Sequence, residues 1–264
     1  MTGVQTCALP ISIYQTLLES NQGTGETSYH ISGTVTVHGQ EPVPVDSWGT
    51  PGESAAPQLA AALGVFDAFN RLYANGNRRE PIENVRLRVE TIPADKRVEI
   101  ESVRLISGNI VHPGDRVTVE ATLRPWRQAA RNVRIPFTVP ARLGSGNLRL
   151  LVSGAGAIDK TLDGARAATR PATVAATSAR LRGMHAADQV YVSLLLPDSQ
   201  ASLDGSTLDS LPLSMANTLE ADRGGQEVGL HGESLAVVTQ AAAGGVLSGQ
   251  QILTLHVQAG GGLH

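Results

Sequence analysis

Two serines sit close to the context of a nucleophile elbow. Gly52-Glu53-Ser54-Ala55-Ala56 and Gly232-Glu233-Ser234-Leu235-Ala236 each miss the pattern G-x-S-x-G by one residue. The elbow needs a strand before the serine and a helix after it, so that Oγ stands out on a strained turn. Ser54 follows a loop, and Ser234 precedes a strand. They read as a helix cap and a strand entry instead. The histidines do not cluster either. His30 and His38 lie on one strand, roughly 26 Å apart at ~3.3 Å per residue. A shared metal needs both nitrogens within about 2 Å of it. His112 precedes Pro113 in a turn, and His185, His231 and His256 have no acidic or histidine neighbour at ligand spacing. Surface or turn roles are expected for all of them. Gly23-Thr24-Gly25 and Gly154-Ala155-Gly156 hold G-x-G without the strand-turn-helix setting of a dinucleotide loop. Asp159 to Gly164 lacks the alternating oxygen ligands of a calcium loop. No catalytic residue, cofactor or metal is therefore expected.

Trp126 is the residue most able to hold a ligand. It follows Pro125 and lies between Arg124 and Arg127. An exposed indole flanked by guanidinium groups can stack on a sugar or a peptide with cation–π support. The competing reading places Trp126 over one end of the core with the arginines laid on its ring, and the sequence favours that reading. Trp126, Arg124 and Arg127 thus form a ligand or packing surface. Trp48, next to Asp46, reads as a loop residue before the helix and is expected to pack on the first unit.

Those side chains depend on elements that hydropathy outlines. The chain has 264 residues, 41% hydrophobic but only 3% aromatic. Small aliphatic residues must build the core, each contributing modest burial. With Gly 28 and Pro 14, turns are frequent, which favours β structure. A net charge of −3 leaves no basic surplus for a phosphate backbone, so nucleic acid is not an expected partner. No apolar run reaches the ~20 residues of a membrane helix, so no membrane span is expected.

Residues 13–95 read as a small α+β unit. Ile31, Thr34–Val37 and Val43–Val45 form strands about a turn at His38-Gly39-Gln40. An amphipathic helix follows, capped by Ser54, closed by Gly76 and striped by Leu59, Leu63, Phe66, Phe69 and Tyr73. Asp67 and Arg71 form an i, i+4 pair off that stripe. Val85, Leu87 and Val89 then alternate with Arg86 and Arg88. In residues 96–153, Val117, Val119, Ala121 and Leu123 alternate with polar residues after the turn His112-Pro113-Gly114-Asp115. Val133, Ile135, Phe137 and Val139 repeat the pattern, and Leu148, Leu150 and Val152 close it. This predicts an immunoglobulin-like β-sandwich without Cys and Trp landmarks. Residues 154–258 read as a further α+β unit. Gly154–Pro171 is a loop with a short helical turn, and helices cover Thr173–Leu181 and Leu211–Leu219. Strands lie at Val190–Leu196, Leu235–Gln240 and Ile252–Val257. Residues 259–264 read as a disordered tail. The expected fold class is mainly β with α+β parts, the sandwich standing in the middle.

Met1 to Ser12, MTGVQTCALPIS, resembles the translation of a sequencing-adapter oligonucleotide. That implies an artefact over 1–12, a gene that continues upstream, and a native chain without Cys7. Disulfides, thiolate metal sites and a cysteine nucleophile would then be absent together.

Val111–Gln128 (VHPGDRVTVEATLRPWRQ), Val133–Pro140 (VRIPFTVP) and Asn147–Gly154 (NLRLLVSG) resemble the C-terminal region of acidobacterial-type proteins carrying a SpoIVB-like serine peptidase domain. Ser28–Trp48 and Ser248–Val257 fit the same resemblance, which spans about residues 26–258. The family implies an N-terminal trypsin-like domain with a serine nucleophile and a histidine base. Its Gly-rich serine loop has no counterpart in this chain. The resemblance therefore implies a non-catalytic C-terminal accessory region of an envelope serine peptidase, truncated at its N-terminus. Its role would be structural, substrate-positioning or interaction. Its partners would be the upstream peptidase domain of the same parent chain and a protein or peptide substrate. It would be located in the periplasm, the cell envelope or outside the cell. The alternative is an extracellular adhesion or carbohydrate-binding β-module.

Overall fold

The computed structural model describes residues 3–20, 26–52, 55–73, 81–141, 143–164, 173–196, 200–203, 206–208, 228–231 and 234–258. The expectations for Ser54, Gly76, Gly23–Gly25, Leu211–Leu219 and the tail lie outside these residues. The fold is mainly β, with several sheets and a few helices.

The first part holds α1 (Gly3–Ser20), β1 (Ser28–Val37), β2 (Val43–Gly49), α2 (Pro57–Tyr73) and β3 (Ile82–Ile92). The strands form an antiparallel sheet in the order β2-β1-β3. Gln40 N–H donates to Val37 O at 3.0 Å, and Gly39 takes φ 71°, so the expected turn closes β1 onto β2. Tyr29, Ile31 and Val35 of β1 are buried beneath α2, and Leu17 of α1 joins the same core.

α2 is present, but its buried face matches the expected stripe only in part: Phe69 is buried and Tyr73 packs on the same core. Gln58, Ala61, Ala62, Val65, Phe69 and Leu72 face inward, whereas Leu63 is 48% exposed. The reason is close packing. A Cβ on Gly49 would collide with Pro57 O, and one on Gly64 would collide with Ser47 Oγ. Small side chains fit where α2 comes nearest the sheet, at Ala61 and Gly64, while Val65, Phe69 and Leu72 fill the core on either side. Gln58 tolerates burial because its Nε2 donates to Tyr29 Oη at 3.2 Å. The i, i+4 pair forms as expected, with Arg71 Nε donating to Asp67 Oδ2 at 2.7 Å.

The rest of the chain builds two larger sheets over one core. It comprises β4 (Arg97–Leu105), β5 (Ile110–Val111), β6 (Arg116–Pro125), β7 (Arg131–Thr138) and β8 (Gly146–Ser153). These are followed by α3 (Ala155–Gly164), α4 (Val174–Arg182), β9 (Gln189–Leu196), β10 (Gln200–Leu203), β11 (Ser206–Leu208), β12 (Val228–His231), β13 (Ser234–Ala242), β14 (Val246–Ser248) and β15 (Gln250–Val257). One sheet runs β14-β4-β6-β7 and the other β13-β9-β8-β15-β5, with β11-β10-β12 as a small third sheet. Val117, Val119, Ala121 and Leu123 of β6 are essentially inaccessible, as their alternation requires. In β4 the apolar residues fall at 98, 100, 103 and 105, and a bulge between Ile100 and Ser102 restores their facing. β7 is an edge strand, the place in a sheet where Pro136 is tolerated.

Position 153/154 is not a boundary in these sheets. β9 pairs with β8, β15 pairs with both β8 and β5, and β14 pairs with β4. Leu148, Leu150 and Val152 face the core shared with β6 and β7, and Leu151 packs in a separate cluster with Ile158 and Tyr191. Within Gly154–Pro171, the described residues hold more than a short helical turn. Residues 155–164 form α3, whose Ile158 is buried against Leu151, Tyr191 and Leu235. The expected helix after Thr173 is α4, and Thr173 Oγ1 accepts from Ala176 N at 3.2 Å as its N-cap. Val174 and Leu181 of α4 enter the core of the first part.

Candidate functional site

β6 runs out of the core at Pro125 and turns at once. Gln128 N–H donates to Pro125 O at 3.1 Å, and Arg127 sits at φ 52°. A non-glycine residue in that left-handed region is uncommon, and such conformations gather at functional sites. The turn leaves Trp126 39% exposed. Trp126 N–H donates to Arg97 O at 3.0 Å, which ties the turn to the start of β4.

The arginines then divide. The Arg97 guanidinium carbon lies 4.0 Å from the Trp126 ring centroid, and that of Arg127 lies 5.6 Å from it. Arg97 is held in place by the buried Asp95 carboxylate, through Nε at 3.0 Å and Nη2 at 2.6 Å. Arg127 also pairs with Glu26 of the first part. Arg124 takes no part. It reaches Glu101 at 2.7 Å, and that hydrogen bond raises its already high pKa. Of the expected trio, Trp126 and Arg127 come together, and Arg97 occupies the place expected for Arg124. Arg97 was hidden from sequence reasoning by distance along the chain. It reaches Trp126 only because Val98 pairs with Pro125 across β4 and β6.

Beside this stack lies a depression of about 310 Å³, lined by Ala94, Asp95, Lys96, Arg97, Val98, Pro125, Gln128, Ala129, Arg131 and Gly244. Its charged lining has two more cations than carboxylates. Arg131 Nη2 donates to Ala243 O. A Cβ on Gly244, which takes φ 70°, would collide with that same nitrogen, so the glycine makes room for the guanidinium.

The histidines are partnered more than their spacing suggests. His30 Nε2 lies 2.6 Å from Asp46 Oδ1, and its ring stacks on Trp48 at 4.0 Å. His38 meets Glu83, and His112 meets Asp115 at 3.4 Å. His185, expected to lack an acidic neighbour, holds Asp159 Oδ1 at 2.6 Å from Nδ1. That carboxylate comes from α3, 26 residues away, and no local signal reveals it. Tyr191 meets the His185 ring edge-on at 4.9 Å, and burial raises its phenol pKa. The nearby Ser153 and Ser193 hydroxyls are buried without a hydrogen-bond partner, so neither is engaged with His185. Among the described residues, no group of three or more His, Cys, Asp or Glu could hold a metal.

No family model matches the chain, and neither a curated protein nor a solved structure matches it. Among the described residues, no helix is long and apolar enough to cross a membrane.

Proposed function

We propose that this chain is a non-catalytic accessory region that works by contact, following a SpoIVB-like serine peptidase domain in an envelope or secreted protein. The observation that carries the reading is the Trp126 shelf. The stretch with the strongest resemblance, Val111–Gln128, supplies β6 and ends on an exposed indole with Arg97 and Arg127 over its ring. A large aromatic with arginine neighbours is the composition of contact hot spots. The shelf also stands where the first part meets the two-sheet part, through Arg127 and Glu26. We read the two facing sheets as an immunoglobulin-like contact module, supported by the antiparallel β4-β6-β7 order and the single core between the sheets. A protein or peptide partner suits the shelf better than a sugar. Sugar stacking needs an open ring face, and two guanidinium groups already lie over this ring, at 4.0 Å and 5.6 Å.

The test is reassembly of the gene from reads with adapter sequence trimmed. The expected result is an in-frame Ser/His peptidase domain upstream of residue 13, with residues 1–12 replaced. A stop codon or promoter immediately before residue 13 would overturn the reading.

A further inference from the structure

We infer that the depression between Lys96 and Arg131 is a carboxylate-binding pocket that receives an acidic side chain of a peptide partner. The inference deepens the contact reading and rests on it only for the partner being a peptide.

Charge comes first. Asp95 is the one carboxylate in the lining, and Arg97 already neutralises it with two nitrogens. Arg97 is further committed to the Trp126 ring. Lys96 and Arg131 remain, and among the described residues neither has a carboxylate within ion-pair distance. Two cations that share a concave surface, Lys96 half-buried and Arg131 exposed, raise the local concentration of anions.

Geometry comes second. Arg131 is not a loose surface side chain. Its Nη2 is anchored on Ala243 O, and Gly244 gives the guanidinium its seat. One anchored nitrogen leaves the rest of a five-donor fork for a ligand. The bond to Ala243 O already restricts the side chain, so less conformational freedom is lost on binding. A guanidinium fork matches the two oxygens of a carboxylate, and an ammonium beside it adds a point charge. Val98 and Pro125 supply apolar lining next to these cations. That combination fits a carboxylate on a short aliphatic stem, which is a glutamate or aspartate side chain.

The experiment uses the full chain and four probes. These are a capped alanine pentapeptide with a central glutamate, its glutamine counterpart, the glutamine peptide with a free C-terminus, and inorganic phosphate. Amide chemical-shift titration reports both affinity and place. The glutamate peptide is expected to bind, weakening as salt is raised, with shifts centred on Lys96, Arg131 and Gly244. Lys96→Gln and Arg131→Gln are each expected to weaken it about tenfold, the scale of one hydrogen bond to a charged group. Circular dichroism checks that both variants keep the fold. The double reversal K96E/R131E is expected to lose the glutamate peptide and gain a lysine counterpart. Equal binding of the capped glutamine peptide would overturn the inference. So would unchanged affinity in both single variants, or tighter binding of the free C-terminus or of phosphate than of the glutamate side chain. None of these results bears on whether a peptidase domain lies upstream, so the two proposals can fail separately.

Discussion

Arg97 carries three contacts at once. Its guanidinium meets the Asp95 carboxylate, the Trp126 ring and the space left by Gly52, where a Cβ would collide with Nη1. Asp95 is buried, so removing its partner strands a charge away from water. Arg97→Ala is expected to cost about 3 kcal/mol, the scale for breaking a buried pair by one partner. Arg124→Ala, which breaks an exposed pair with Glu101, is expected to leave the denaturation midpoint unchanged. Urea unfolding of the two variants checks the contrast. Glu120 makes a pH-dependent case. It stands between Arg104 and Arg134 on the adjacent strands, with Nε atoms at 2.8 Å and 3.1 Å, and their hydrogen bonds hold its carboxyl below the ordinary glutamate range. A depressed folded-state pKa stabilises above the unfolded value, about 4.3. That stabilisation is lost as pH falls through the lower folded value. Wild-type stability should therefore decline on acidification below about pH 4 more steeply than that of Glu120→Gln. Thermal melts across that range measure the difference.

At the scale of elements, α2 shows how packing distance overrides hydrophobicity. Leu63 is as apolar as any residue on the expected stripe, yet it is exposed, while Ala61 is fully buried. Around Ala61 and Gly64 the backbone of α2 lies too near β2 for long side chains. Ala61→Leu should therefore overpack and cost about 1–3 kcal/mol. Leu63→Gln should be close to neutral. Chemical denaturation of the two variants ranks them, and the reverse order would restore the stripe read from hydropathy. The strands with clean alternation, β6 and β7, behave as their period demands. β4 does not alternate throughout, and its bulge is the answer to that break.

At the scale of the molecule, distant pairings decide the architecture. β14 and β15 lie about 150 residues from β4 in some of their contacts, such as Ser248 Oγ donating to Val98 O at 3.3 Å. α4 leaves the two-sheet part and buries Val174 and Leu181 in the first core, and Arg182 reaches Glu41 there. A fragment of residues 13–153 would lose β9 and β15 from the flanks of β8 and α4 from α2. Leu148, Leu150 and Val152 would then lack much of their cover. The fragment is expected to show no cooperative unfolding transition, whereas residues 13–258 should show one by circular dichroism. Cooperative unfolding of the shorter fragment would mean that the first five strands of the two-sheet part close on themselves.

The sequence by itself determined the strands whose side chains alternate, the turn at His112–Asp115, the presence of α2 and its Asp67–Arg71 pair. Each is a local matter, written in a period of two or in spacings of three and four residues. It also marked Trp126 with Arg124 and Arg127 as a ligand or packing surface, because an indole between arginines after a proline-ended strand is legible within a few residues. Only the tertiary structure decided which face of α2 turns inward, that Arg97 rather than Arg124 meets the indole, and that Asp159 reaches His185. It alone joined residues 189–257 to the sheets of 97–153. Those outcomes depend on how closely two backbones approach and on which strands lie side by side. Neither quantity has a period along the chain.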